Sequence, residues 1–210
     1  LAYPVDLADE TATAGTAERI EREAGTPDIL INNAGAGRWL PFLDTSPAEA
    51  RAMMAVPYLA AFDLTRALLP GMVARGSGGI VFISSPASYI AWPKASAYIA
   101  ARRAMAGLAD SLRSELKSAG IKVTLVALGT VATPYWDNNP GSRENMPKTD
   151  PRLVPVLTPA QAAAAIVDGA ETGKPLVVKP AIYRVLFILN ALFPRLVASQ
   201  LRRAMPKPRC

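Results

Sequence analysis

Four short apolar runs, Asp28–Ile31, Gly79–Ser84, Ile121–Leu128 and Pro175–Lys179, are each bounded by Gly, Pro or Asn and rich in β-branched residues. Runs of that length and composition read as buried strands. Roughly 10–30 residues of helical pattern separate them, the length that a crossover between parallel strands requires. The chain therefore reads as an α/β protein with a parallel sheet, its strands hydrophobic throughout because both faces are covered.

Helix ends are legible between the runs. Ser46-Pro47-Ala48-Glu49 supplies an N-cap, a proline at the first helical position and a glutamate three residues after the cap. It predicts a helix toward Arg75, closed by Gly76-Ser77-Gly78-Gly79. A second helix is expected over Ala95–Ala119, ended by Gly120, and a third from Thr158-Pro159 to near Gly173. Pro134–Pro155 has no period and is rich in Pro, Asn, Gly and charge, which predicts a long loop or lid. Val5-Asp6-Leu7-Ala8-Asp9 reads as a strand end passing into a helix.

The 210 residues, 50% hydrophobic, suffice for one domain with a substantial core. There is no histidine, which removes His triads, His metal sites and histidine proton shuttles. The single cysteine is Cys210, so no intrachain disulfide or thiolate zinc site forms, as fits a reducing, cytoplasmic setting. No carboxylate cluster has metal-ligand spacing. No stretch of about 18 uncharged apolar residues predicts an ordinary transmembrane helix.

The net charge of +6 is unevenly placed. Residues 172–210 carry eight basic and no acidic side chains: Lys174, Lys179, Arg184, Arg195, Arg202, Arg203, Lys207 and Arg209. Within 181–204 the sequence predicts a basic amphipathic helix, interrupted at Pro194, with Leu186, Phe187, Leu189, Phe193 and Val197 on its apolar side. Contact with a membrane surface and contact with a partner subunit rank equally for it, both ahead of nucleic acid, with packing on its own domain the plainest alternative.

Asn32-Asn33-Ala34-Gly35 ends the first apolar run, Ser85 ends the second, Tyr98 follows 13 residues later and Arg102 four residues after that. Residues four apart share a helix face, so Arg102 sits beside Tyr98. A phenol near a cation, with a hydroxyl from a strand end, suits carbonyl reduction or alcohol oxidation, the hydride coming from a cofactor.

These motifs resemble the short-chain dehydrogenase/reductase family over Leu1 to about Lys179. Thr65-Arg66-Ala67-Leu68-Leu69-Pro70 on the long helix and Leu128-Gly129-Thr130-Val131-Ala132-Thr133 extend the match. The resemblance implies a Rossmann-like doubly wound parallel sheet spanning 1–179, entered after the glycine-rich first βα unit, with 180–210 as a separate tail. It implies NAD or NADP as cofactor and a small, fairly apolar alcohol or carbonyl as substrate. It assigns catalysis to Ser85, Tyr98 and Arg102, and cofactor contacts to Asp6, Asn32, Ala34, Gly35, Tyr98, Arg102, Gly129, Val131 and Thr133. It also implies a homo-oligomer through the helices at 46–75 and 95–119. Trp92 and Trp136 fall near the expected cleft mouth as substrate-contact candidates, whereas Trp39 reads as a core or loop anchor. Two positions depart from the family's chemistry: Arg102 stands where the family has lysine, and Pro57 where it has the helix asparagine. They motivate an alternative, a non-catalytic relative acting as a binding or membrane-associated module.

Overall fold

The computed structural model describes residues 1–206; Lys207, Arg209 and Cys210, named above, lie outside the described residues. Four strands, β1 (Ile29–Asn32), β2 (Gly78–Ser84), β3 (Ile121–Leu128) and β4 (Leu176–Lys179), form one sheet in the order β1-β2-β3-β4. Every neighbouring pair is parallel. The helices are α1 (Glu10–Ala24), α2 (Pro47–Met54), α3 (Ala60–Arg75), α4 (Ser96–Glu115), α5 (Pro159–Thr172), α6 (Ile182–Leu192) and α7 (Pro194–Ala204).

Alternation along the central strands divides the core into two layers. Ile80 and Phe82 of β2, with Ile121, Val123 and Leu125 of β3, pack with Ala61 and Met72 of α3 and Met105, Ala106 and Ala109 of α4. Their neighbours Val81, Ile83, Val126 and Leu128 face Ala162 and Ala165 of α5 on the other side. The sheet is thus covered on both faces, as its unbroken hydrophobic strands require. Small residues let α5 lie close: a methyl group at Gly169 would come within 3.1 Å of Thr124 Cγ2.

Both capping boxes form. Ser46 accepts from Glu49 N and Thr158 from Gln161 N, and each partner side chain returns to its cap's N–H. Left-handed glycines close α3 at Gly76 and α5 at Gly173. Pro57 produces a π-turn over Ala55–Leu59, which joins α2 to α3 without ending the helix. A proline has no N–H for the ladder and its ring crowds the preceding turn, so the helix widens by one residue there. The whole span Pro47–Arg75 is long and apolar enough to cross a membrane by length and composition. Its Ala61, Leu68 and Met72 are nevertheless buried in this domain, so it is a core helix.

The expected strand end at Val5 does not form: residues 1–6 belong to no strand. A strand needs a hydrogen-bonding neighbour, and among the described residues the outer edge of β1 has none. Ile29 and Ile31 on β1 are each 43% exposed.

Candidate functional site

The predicted residues gather at the carboxyl ends of the strands, where open parallel sheets bind ligands. Asn32 ends β1, Ser85 follows β2, Gly129 follows β3, and Lys179-Pro180 leaves β4. Tyr98 and Arg102 rise from the first turns of α4 and are both buried.

Ser85 accepts from Ala87 N at 3.0 Å and caps a short 3-10 turn over Pro86–Ser88. That leaves its own hydroxyl hydrogen to donate. The adjacent Ser84 and Ser88 hydroxyls bond each other at 2.7 Å, and Ser88 donates to the Arg102 carbonyl at 3.1 Å. This chain of bonds fastens the serine turn to α4.

Arg102 is 7% exposed, and among the described residues no carboxylate pairs with it. Its Nη1 donates to the Ile83 carbonyl at 3.1 Å, and its Nε is buried without a partner. The guanidinium carbon lies 5.0 Å from the centroid of the Tyr98 ring, so the cation stacks on the aromatic face. Gly35 makes room for it: a methyl group there would lie 2.9 Å from Arg102 Nη2.

Over Tyr98 lies an aromatic strap. Trp39 is 5.4 Å from the Tyr98 ring, 5.1 Å from Trp92 and 5.5 Å from Trp136. Hydrogen bonds clasp residues 37–39 to the long loop after β3. Tyr135 Oη donates to the Gly37 carbonyl (2.9 Å), Gly37 N to Asn139 Oδ1 (3.3 Å), Trp39 N to Ser142 Oγ (3.0 Å) and Asn145 Nδ2 to the Trp39 carbonyl (2.7 Å). The loop's base is pinned where Val131 bridges Leu157, with Ala132 N donating to the Leu157 carbonyl at 2.9 Å.

Two further phenols converge on Tyr98. Burial pushes the Tyr135 hydroxyl well above the ordinary phenol range, with the nearby Tyr98 adding and Arg102 opposing. Burial, then Tyr98, pushes Tyr183 up from 10.0 to about 12. Tyr183 stands on α6 and seats against Gly129, where a methyl group would lie 2.9 Å from its Cε2. Sequence reasoning missed both residues in the site. Tyr135 lies in a segment without period, and Tyr183 in a tail read as peripheral. A tyrosine just after a strand-ending Lys-Pro was the available signal for the second.

A stability prediction follows from Tyr183. Burial holds its phenol up at about 12 in the fold, above the ordinary 10.0 of the unfolded chain. Below pH 10 both states hold the proton and stability is level. Across 10–12 the unfolded state loses it first, so stability falls as pH rises. The loss from this group is on the order of 2 kcal/mol. Urea midpoints measured from about pH 9 to pH 12 should show a shallower alkaline decline in Tyr183→Phe.

The cofactor candidates fall into two groups. Asn32 and Ala34 line a cavity of about 60 Å³ bounded by Leu7, Ile31, Val56 and Leu64, on the side of the β1 edge. Asn32 Nδ2 donates to Thr65 Oγ1 at 3.2 Å, and its Oδ1 is buried without a partner. Gly35 lies against Arg102 beside Tyr98, Gly129 lies against Tyr183, Val131 packs with the layer under α5, and Thr133, exposed, follows Val131. Asp6 is exposed, and its carboxylate accepts from Ala8 N at 2.9 Å in the turn into α1. The unpartnered Asn32 Oδ1 and Arg102 Nε, together with the bare Gly35 backbone, suit the nicotinamide end of a dinucleotide. For the pyrophosphate end, no glycine-rich strand-to-helix turn occurs among the described residues.

Residues 1–143 match the short chain dehydrogenase family. The chain belongs to that family. It is 33% identical over 195 residues to the Drosophila melanogaster dehydrogenase/reductase SDR family protein 7-like, covering 92% of this chain and 60% of that protein. It is also 33% identical over 218 residues to the probable oxidoreductase EphD of Mycobacterium tuberculosis, covering 96% of this chain and 36% of that one. The chain thus spans less than two thirds of the length of each of these relatives. Among solved structures, a short chain dehydrogenase from Burkholderia cenocepacia in complex with NADP superposes with a TM-score of 0.79 at 25% identity, covering 96% of this chain and 80% of that one. The Rossmann-like fold and the family read from the sequence both stand.

Proposed function

We propose that this short chain dehydrogenase interconverts an alcohol and a carbonyl on a fairly apolar small molecule, using NAD or NADP. The observation that carries the reading is the buried Tyr98 stacked on the Arg102 guanidinium, with Ser85 on the turn that follows β2, and the family match and an NADP-bound structural neighbour support it. A nicotinamide supplies or accepts hydride when bound. Tyr98 gives the substrate oxygen its proton in reduction and takes it back in oxidation. Ser85 donates its free hydroxyl hydrogen to the same oxygen. Arg102 keeps a fixed positive charge on the Tyr98 ring and reaches the cofactor's ribose. Asn32, Ala34, Gly35, Gly129, Val131 and Thr133 line the cofactor, with Asp6 at its adenine end. Trp39, Trp92 and Trp136 make the substrate wall apolar.

In this reading residues 1–179 form the dinucleotide-binding body and 180–210 a tail closing the cleft through Tyr183. Exposed Leu59, Phe62 and Val73 on the long helix supply a homo-oligomer contact.

The test is oxidation of NADH and NADPH by a panel of apolar aldehydes and ketones, followed by nicotinamide absorbance. Turnover of at least one, abolished in Tyr98→Phe, supports the reading. A second reading, a non-catalytic binding module, is favoured by one observation: Tyr98 is only 6% exposed beneath the 37–39 strap. It predicts no turnover with any partner.

Arg102→Lys is expected to show equal activity or a gain of up to about tenfold in kcat/KM. The ammonium keeps the charge on a slimmer head and removes the orphaned Nε. A large loss would mean that the guanidinium has a specialised role.

A further inference from the structure

We propose that the outward face of α6, continued by the start of α7, docks the protein on an anionic lipid surface. The helix α6 is apolar on two sides. Inward, Phe187 lies 4.7 Å from the Tyr89 ring and Asn190 Nδ2 donates to the Tyr89 carbonyl at 3.0 Å. Outward, Val185, Ile188, Leu189 and Leu192 follow the i, i+3, i+4, i+7 spacing of one helix face and are 51%, 61%, 39% and 65% exposed. Phe193 and Leu196 extend the surface at 55% and 58%. A helix needing only its inner face would carry polar side chains at these positions, and an unbroken apolar surface of this kind marks a contact site.

Charge selects the occupant. Arg184 on α6 and Arg195, Arg202 and Arg203 on α7 are exposed, and the sequence has no acidic residue after Glu171. The end of α7 touches the loop after β3, where Lys148 N donates to the Ala204 carbonyl at 2.9 Å. That loop's Asp137, Glu144 and Asp150 are matched in number by Arg143, Lys148 and Arg152, so it leaves the positive excess of the two helices in place. A second copy docked through the same face would be related by a two-fold axis and would bring this arginine set against its own counterpart. A bilayer surface with acidic headgroups accepts the aliphatic face at the acyl boundary and the arginines at the phosphates. The 11 residues of α6 are too few to span a bilayer, so the helix lies in the interface.

The docking deepens the proposed function, and in that respect rests on it. The helix that would lie on the lipid also carries Tyr183, which seats against Gly129 at the end of β3 among the strand ends of the proposed site. An apolar alcohol or ketone dissolved in the bilayer would then reach the cleft without crossing water.

Sedimentation of the full chain with vesicles tests the proposal. Binding is expected with phosphatidylcholine containing about 30 mol% phosphatidylserine, and about tenfold weaker binding with phosphatidylcholine alone or in about 0.5 M salt. Two double variants separate the contributions: Leu192→Ser with Phe193→Ser, and Arg195→Glu with Arg202→Glu. Each should reduce binding to the anionic vesicles by about tenfold or more. All four side chains project from the exposed surface, so urea midpoints and nicotinamide binding should be unchanged, which confirms folding. Absence of vesicle binding by the unaltered chain, or binding by both variants as strong as that of the unaltered chain, would overturn the proposal. A dimer that dissociates in the Leu192→Ser, Phe193→Ser variant, with no vesicle binding, would assign the face to a second copy instead. Vesicle binding is read without cofactor or substrate, so its failure leaves the Tyr98 reading standing, and loss of turnover leaves the docking standing.

Discussion

Replacing Tyr98 by phenylalanine is expected to lower turnover by about 10³-fold while leaving nicotinamide binding within about a factor of two. The substitution removes one oxygen and keeps the ring. The contacts holding the ring in place are aromatic and cationic: Trp39 at 5.4 Å, the Arg102 guanidinium at 5.0 Å and the backbone of Gly37. Phenylalanine satisfies all three, so the fold and the cofactor cleft persist. What disappears is the group that exchanges a proton with the substrate oxygen. Ser85 can still orient that oxygen, but no other side chain in the proposed scheme takes over the exchange. Single-turnover rates of nicotinamide oxidation, with a parallel binding titration, separate the two effects. Unchanged turnover would show that another group is the acid, with Tyr183 and Tyr135 the nearest phenols.

Gly37→Ala is expected to lower activity by about 10²-fold and stability by about 1–3 kcal/mol. The added methyl would stand 2.5 Å from Tyr98 Cδ2 and 3.2 Å from its Cε2. The ring cannot retreat, because Trp39 and Arg102 already pack against it. The strap must lift instead. Lifting strains the Tyr135 bond to the Gly37 carbonyl and the Gly37 bond to Asn139, and with them the clasp between the two loops. Turnover and urea midpoints together check this. If both were unaffected, the strap would not set the position of Tyr98.

The sheet was legible in the sequence because each strand announces itself. Val81, Phe82 and Ile83 in β2 and Val123, Leu125 and Val126 in β3 face helices on both sides, so their hydrophobicity is unbroken. Gly76 and Gly173, both with positive φ, mark helix stops that a side chain would strain, whereas α4 ends at Glu115, short of the stop expected at Gly120, which sits with positive φ in the turn before β3. Pro57 was legible as an irregularity but not as a π-turn, since a proline within a helix permits a kink, a break or a bulge. Ser85, Tyr98 and Arg102 could be placed because two lie on one helix at fixed spacing and the third ends a strand. The aromatic strap could not. Trp39, Tyr135 and Asn139 lie on two loops 98 to 106 residues apart in their hydrogen bonds, and no local period connects such segments. Which side of α6 packs on the domain was hidden for a related reason. Its inner residues, Tyr183, Phe187 and Asn190, and its outer ones, Val185, Ile188 and Leu192, are apolar apart from Asn190, so the moment of the helix does not show which side meets the domain.

The central claim is that a nicotinamide lies against Tyr98 and Arg102. Titration of the chain with NADH and NADPH, read by tryptophan fluorescence, addresses it most directly, because Trp39 packs on Tyr98 and Trp92 and Trp136 pack on Trp39. The account predicts saturable quenching by one or both cofactors, weakened about tenfold or more in Arg102→Met, where the charge is lost. No response to either cofactor at millimolar concentration, or identical affinities in the variant, would contradict it.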